Sequence, residues 1–239
     1  MAKTMLSVWA HPDDEAFGPS GLVRKLHDQG IRNVVITATR GELGNLGEPP
    51  LATRHTLAEV REAELRAACG LIGVDRLELW AYPDGGLTIV DTNELRDRIV
   101  ELLNQEKPHL VLTFGPDGIY GHPDHIAIHV ADTQAFAQYL ALHSHEEVPR
   151  LYYVTVGPSA VPAENSSGSN DAPAPLPATA QIDVSSYAEI KRQALQCHAT
   201  QHLDWSQFLD RDEWFTTVYL HRAYPPASTT DVAETALFV

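Results

Sequence analysis

Short runs of branched and bulky apolar residues alternate along the chain with longer stretches whose apolar positions recur at helical spacing. Residues 5–10 (MLSVWA), 33–39 (NVVITAT), 76–80 and 109–114 (HLVLTF) are strand-length segments dominated by apolar and β-branched side chains, the pattern of parallel strands buried on both faces. Between them, residues 18–29, 57–72 and 93–105 place apolar side chains on helical spacings, and Gly30 and Gly73 stand where such helices would stop. The alternation predicts right-handed βαβ crossovers, hence an α/β, Rossmann-like, mostly parallel doubly wound sheet with helices on both faces. A further strand is expected over 150–156, and regular structure resumes at 182–184 and in a helix over 186–200. Between them, residues 157–179 are rich in Pro, Ala, Ser and Asn. They read as a surface loop inside one domain spanning 1–239, with a lid over the active site as the alternative.

Composition narrows the function. With 239 residues and 44% hydrophobic content the chain can bury a substantial core. The longest apolar runs are far shorter than the roughly 18 to 20 residues a bilayer crossing requires, and no secretory leader is recognisable at the N-terminus. A formal net charge of −15 repels a phosphate backbone, so nucleic acid is not the expected partner; a small-molecule substrate is. Cys69 and Cys197 form no CxxC pattern, which points away from a cysteine zinc site and towards a reducing cytoplasm. Oligomeric state, a homo-oligomer included, is left open.

In open α/β sheets ligands bind beyond the carboxyl ends of the strands. The first strand runs into Ala10-His11-Pro12-Asp13-Asp14-Glu15. Three consecutive acids repel one another unless a cation or a helix N-terminus compensates them, and a helix cap explains this segment as well as a metal does. The strand at 109–114, however, leads to Tyr120-Gly121-His122-Pro123-Asp124-His125. Two His and one Asp with an open position form the pattern of a catalytic metal centre, and loops from two strand ends can converge on one crevice.

These two segments resemble the LmbE-like, or PIG-L, family of zinc deacetylases. The resemblance extends to residues 39–44 (TRGELG), 61–65 (REAEL) and 191–201 (KRQALQCHATQ), with Thr200 where the family has serine, and covers roughly residues 5 to 215. It implies a zinc ion, or another divalent metal such as Fe2+, held by His11, Asp14 and His125. Asp13 is then the general base towards water that the metal acidifies. His122, held by Asp124, would act as an imidazolium on the oxyanion or the departing amine, with Tyr120 as a second donor. Tyr120 before GHPDH is similar to the mycothiol-pathway branch. By the same resemblance Arg61 and Asp84 would bind sugar hydroxyls, although Arg61 and Glu64 could equally form an exposed ion pair and Asp84 occupy an ordinary turn. The implied activity is removal of an acyl group, acetyl above all, from an N-acetylglucosamine-type amine.

Other histidines carry less. His129 reads as a satisfied helix residue, His198 and Gln201 as support for the site as readily as substrate contacts, Glu15 as a helix cap, and His143 and His145 as solvated surface. Three rival readings remain: an amidase acting on thiol-cofactor conjugates, a non-haem iron oxygenase, since iron uses two-His-one-carboxylate sites, and a carbohydrate- or metal-binding module without catalysis. The non-ligating Asp13 counts against the last two. No GxSxG, HExxH, Walker or PCxxC motif occurs.

Overall fold

The computed structural model describes residues 3–144, 147–157, 173–227 and 234–238. His145 and most of the Pro/Ala/Ser-rich segment, residues 158–172, lie outside the described residues. In chain order the elements are β1 (Thr4–Trp9), α1 (Asp14–Phe17), α2 (Ser20–Asp28), β2 (Arg32–Thr39), α3 (Leu57–Ile72), β3 (Arg76–Tyr82), α4 (Thr92–Glu106) and β4 (Leu110–Phe114). They continue with α5 (Gly118–Gly121), α6 (Pro123–Leu142), β5 (Arg150–Val154), β6 (Ala180–Asp183), α7 (Ala188–Cys197), α8 (His202–Trp205), α9 (Asp212–Thr216) and β7 (Thr217–Tyr224).

The seven strands form one sheet in the order β3-β2-β1-β4-β5-β7-β6. β3, β2, β1, β4 and β5 are parallel, while β7 runs antiparallel to β5 and to β6. Every residue of β1 and of β4 is buried, as strands covered by helices on both faces must be. The core is continuous across the sheet: Leu6 and Val8, Val34 and Ile36, and Val111 and Leu112 belong to one buried cluster with Leu95 and Ile99 of α4 and Ile128 and Ala135 of α6. α4 packs on α6, while α2, α3 and α7 pack together.

The sequence reading stands for the parallel half, and Gly73 closes α3 in the left-handed conformation with φ 82°. It does not anticipate β7, and where β6 lies it expects only that regular structure resumes, without a strand or its antiparallel direction. The signal was there, since Val218 and Leu220 of β7 are buried in alternation with less buried neighbours. Among the described residues no helix is long and apolar enough to cross a membrane.

The chain leaves β1 for its neighbour β2 on one side, and β4 lies on the other side of β1. The strand order therefore reverses between the parallel neighbours β1 and β4, and their carboxyl ends frame the crevice where open sheets bind ligands.

Candidate active site

Backbone geometry at the end of β1 brings three acids together without dispersing them. Asp14 Oδ2 accepts the N–H groups of Ala10 and His11 at 3.2 and 2.7 Å, so the carboxylate folds back over the strand end. Its other oxygen faces His125 Nε2 at 3.3 Å. Asp13 holds a left-handed φ of 117°, costly for a residue with a Cβ. Its N–H donates to Glu15 Oε2 (3.0 Å) and its Oδ2 accepts from Arg61 Nη2 (2.9 Å). The other oxygen of Glu15 meets His198 Nε2 at 2.7 Å, both side chains being fully buried. Glu15 therefore links the catalytic loop to α7 besides sitting in the first turn of α1.

At the end of β4 a short irregular helix, α5, turns into α6. His122 caps α6, its Nδ1 accepting the Asp124 N–H at 3.2 Å ahead of Pro123. His125 stacks on Phe114, ring centroids 4.0 Å apart and planes 6° apart, and its Nδ1 lies 3.2 Å from the Gly118 carbonyl. Phe114 in turn meets Trp9 edge-on at 5.0 Å.

These contacts fix the histidine tautomers. His125 Nδ1 donates to a carbonyl, which leaves the Nε2 lone pair free. His11 Nε2 faces Asp124 and Asp84 oxygens at 3.1 and 3.2 Å, which leaves Nδ1 free. The two free nitrogens stand 3.3 Å apart, and Asp14 approaches His11 Nδ1 at 3.6 Å. Two lone pairs and a carboxylate converging in a buried place call for a cation, and partners on the outer nitrogens are what metal-ligating histidines carry. Among the described residues, His11, His122 and His125 also have donor atoms within 4.8 Å of one another, as do His11, Asp84 and Asp124.

The electrostatics follow. Burial lowers the His11 pKa, but Asp124, Asp84 and Asp14 outweigh it and lift it to about 10: a proton takes the place of a metal. Burial would raise Asp14, yet His125 and His11 hold it far below the usual carboxylate range. Asp13 is pushed up to about 7, first by burial and then by Asp14, against the pull of Arg61, His198 and His11. His122 falls to about 4 through burial and the adjacent His125 and His11. Tyr120 lies over both imidazoles, 5.5 Å from His125 and 5.8 Å from His122, and burial raises its phenol pKa, so it keeps its proton as a donor.

The structure brings all nine sequence-predicted residues to one end of the sheet, but three contacts differ from expectation. Arg61 is turned inward and forms no exposed ion pair. It is 3% exposed and donates to Asp13, the Pro12 carbonyl and the Gly41 carbonyl; nor does it pair with Glu64, which accepts the Thr200 N–H and hydroxyl at 2.8 and 2.7 Å. Asp84 is no free turn residue, since one oxygen meets His11 and the other accepts the Leu43 N–H at 2.8 Å. The carboxylate of Asp124 does not hold His122, whose Nδ1 takes the Asp124 backbone N–H instead: the N–H groups of Gly85 and Leu87 draw that carboxylate towards the loop after β3 and onto His11. The Asp124 N–H on Nδ1 and the lowered pKa of His122 both favour its neutral form, with the proton on Nε2.

Support from more distant segments was legible only as motifs. A Cβ on Gly41, whose φ is +64°, would lie 2.2 Å from Arg61, and one on Gly44 would lie 2.5 Å from it, so the glycines of residues 39–44 make room for the guanidinium. Gln201 holds the backbone of Asn45 through both its amide atoms, at 3.1 and 2.9 Å. Lys191 bonds the carbonyls of Gly18 and Trp214. His198 and Gln201 thus support the site, and His129, bonded to the Phe114 carbonyl at 3.0 Å, is the satisfied helix histidine expected.

Comparison with known proteins agrees with the motifs. The family profile described as PIG-L, GlcNAc-PI de-N-acetylase, matches residues 6–136. The chain is 30% identical over 249 residues to the 1D-myo-inositol 2-acetamido-2-deoxy-alpha-D-glucopyranoside deacetylase of Kineococcus radiotolerans, covering 83% of this chain and 69% of the relative. It is 32% identical over 199 residues to the probable N-acetyl-alpha-D-glucosaminyl L-malate deacetylase 2 of Bacillus anthracis, covering 82% and 80%. Among solved structures, the N,N'-diacetylchitobiose deacetylase of Pyrococcus horikoshii has the same fold, with a TM-score of 0.69, 20% identity and coverage of 92% and 84%.

Proposed function

The chain belongs to the PIG-L family of GlcNAc-PI de-N-acetylases, and from that membership we propose that it is a zinc-dependent hydrolase that removes the acetyl group from the amine of an N-acetylglucosamine-type substrate. The observation that carries this reading is the meeting of His11 Nδ1, His125 Nε2 and Asp14 within 3.3 to 3.6 Å of one another, with Asp13 beside them and engaged by Arg61. Those three residues would hold the metal; iron is the competing occupant of the same donors. When bound, the ion supplies a Lewis acid that polarises the acyl carbonyl and makes water easier to deprotonate.

The rest is the work of the chain. Asp13, brought near neutrality by burial, takes the proton of the attacking water, as a base matched to the working pH should. His122 presents Nε2–H to the oxygen of the tetrahedral species while its Nδ1 stays on the cap of α6, and Tyr120 adds its hydroxyl from the mouth. Because His122 is neutral, the proton held by Asp13 is the one returned to the leaving amine. Asp124 and Asp84 hold His11 in the tautomer that frees Nδ1. An oxygenase would need open coordination positions but no poised base, which favours hydrolysis. Cys69 and Cys197 as free thiols support a cytoplasmic location.

The test is acetate and primary-amine release from a panel of N-acetylglucosaminides, with metal analysis of the same sample. Turnover that follows zinc content is expected. Zinc-loaded protein inert towards the whole panel would end the reading.

A further inference from the structure

We propose that the group joined to the amino sugar is uncharged and lays an apolar face on the rim of the site, and that carboxylated aglycones are selected against; the inference rests on the deacetylase reading above. The curated relatives include enzymes named for an inositol-linked and for a malate-linked substrate, one neutral and one dianionic beyond the sugar. A dicarboxylate needs cations to receive it, and bidentate guanidinium contacts are the usual means.

The cations near the catalytic end are few and engaged. Residues 10–19, 83–91, 115–122, 155–157 and 173–179 contain neither Lys nor Arg. Arg40 is paired with Glu62 at 2.7 Å, Arg61 is buried against Asp13, and Arg211 lies over the Phe208 ring. Among the described residues, Arg54 is the cation exposed beside the loop of residues 41–45, and it donates to the carbonyls of Glu42 and Gly44 at 2.8 and 2.9 Å. Against these stand the carboxylates of Asp13, Asp14, Asp84 and Asp124. A divalent ion and Arg61 together still leave that set net negative while the carboxylates are ionised. Asp204 adds a further negative charge at the rim, accepting from Asn45 Nδ2 at 2.8 Å. A second anion brought here meets repulsion in a partly desolvated place, where like charges cost most.

Beside these groups the rim exposes apolar side chains. Leu43 is 64% exposed, Leu203 48% and Tyr120 43%. Leu43 donates its N–H to Asp84, which touches His11. Tyr120 stands over His122 and His125, and Leu203 adjoins Asp204, which reaches Asn45. The three come from separate segments, each next to a catalytic side chain or to the loop of residues 41–45, and could together offer an apolar contact surface to a bound molecule.

The zinc-loaded chain should be assayed for acetate release from the inositol-linked, phenyl and malate-linked N-acetylglucosaminides, with calorimetric binding of each to the same protein. The expected result is a kcat/KM for the inositol-linked or phenyl glycoside roughly tenfold or more above that for the malate-linked one, with the same ranking in affinity. Leu43→Arg, which places a cation on the rim, should raise the malate-linked rate relative to the neutral ones, and added salt should remove that gain. A malate-linked substrate used as well as the neutral glycosides, or a preference that Leu43→Arg leaves unmoved, would overturn the inference. If no glycoside loses acetate, the deacetylase reading fails; the binding ranking then tests the aglycone preference alone, neutral over malate-linked supporting it and the reverse refuting it.

Discussion

The guanidinium of Arg61 and the carboxylate of Asp13 meet at 2.9 Å, with both side chains largely withdrawn from solvent. Burial lifts the Asp13 pKa and Arg61 pulls it back, so the carboxyl comes to rest at about 7. Removing the guanidinium as Arg61→Gln should let Asp13 rise further. The base is then protonated at pH 7, and the acidic limb of the kcat/KM profile moves to higher pH. Activity at pH 7 should fall roughly 10- to 100-fold, with metal content retained. Asp13→Asn should lose about 100-fold or more and also keep its metal; an unmoved acidic limb in Arg61→Gln would separate the two residues.

Asp124 and His122 should part company in the same assays. Asp124 touches the outer nitrogen of His11, so Asp124→Asn should weaken metal retention by about 10- to 100-fold, read as residual metal after dialysis against a competing chelator. His122→Gln should keep the metal and lose kcat. Equal metal loss in both variants would make His122 a ligand instead.

Metal binding should release a proton. With the His11 pKa at about 10 in the absence of metal, the imidazole is protonated at neutral pH, and the ion has to displace that proton to reach Nδ1. Apparent affinity should therefore rise with pH by about tenfold per unit below the pKa. Calorimetry in buffers of different ionisation enthalpy should return close to one proton released per ion bound.

Gly41→Ala tests the room made for Arg61. The added methyl meets a φ of +64° and a guanidinium nitrogen at 2.2 Å together. A loss of about 1 to 3 kcal/mol in stability and a fall in kcat are expected, while Gly70→Ala, where nothing lies within 4 Å, should be neutral or stabilising.

Asp132, buried in α6 with no hydrogen-bond partner on either oxygen, is pushed up from 3.8 to about 8 by burial alone. Between those values the unfolded chain releases this proton and the folded chain keeps it. The pH-dependent part of its cost is therefore absent below about pH 3.8 and grows as pH rises, levelling off above about pH 8. Asp132→Asn should show a melting-temperature advantage over wild type that widens from pH 4 to pH 8, worth up to a few kcal/mol at the upper end.

The parallel half of the sheet was legible because its strands are buried on both faces and carry unbroken apolar runs. β7 was not, because a strand near an edge buries only alternate positions and its Val218–Leu220 signal is brief. The site was legible wherever adjacent residues carried it: His11 to Asp14 lie on one turn of chain, and His122 to His125 on another. What spacing could not give was the partner across the fold. Arg61 could have reached a sugar as far as its position in α3 goes; its burial beneath Gly41 and Gly44 directs it to Asp13. Asp124 stands two residues from His122 in sequence, but the N–H groups of Gly85 and Leu87, 39 and 37 residues away, decide where its carboxylate points.

The ring series Trp9, Phe114, His125 runs from the centre of the sheet to the crevice, with indole on one strand and imidazole beyond the other. It gives the protein an internal optical reporter. Indole emission responds to a neighbouring ring's position and charge, so occupancy of the crevice should register as a change in Trp9 fluorescence without any added label, and a Trp9→Phe chain would identify the share of the signal that arises there.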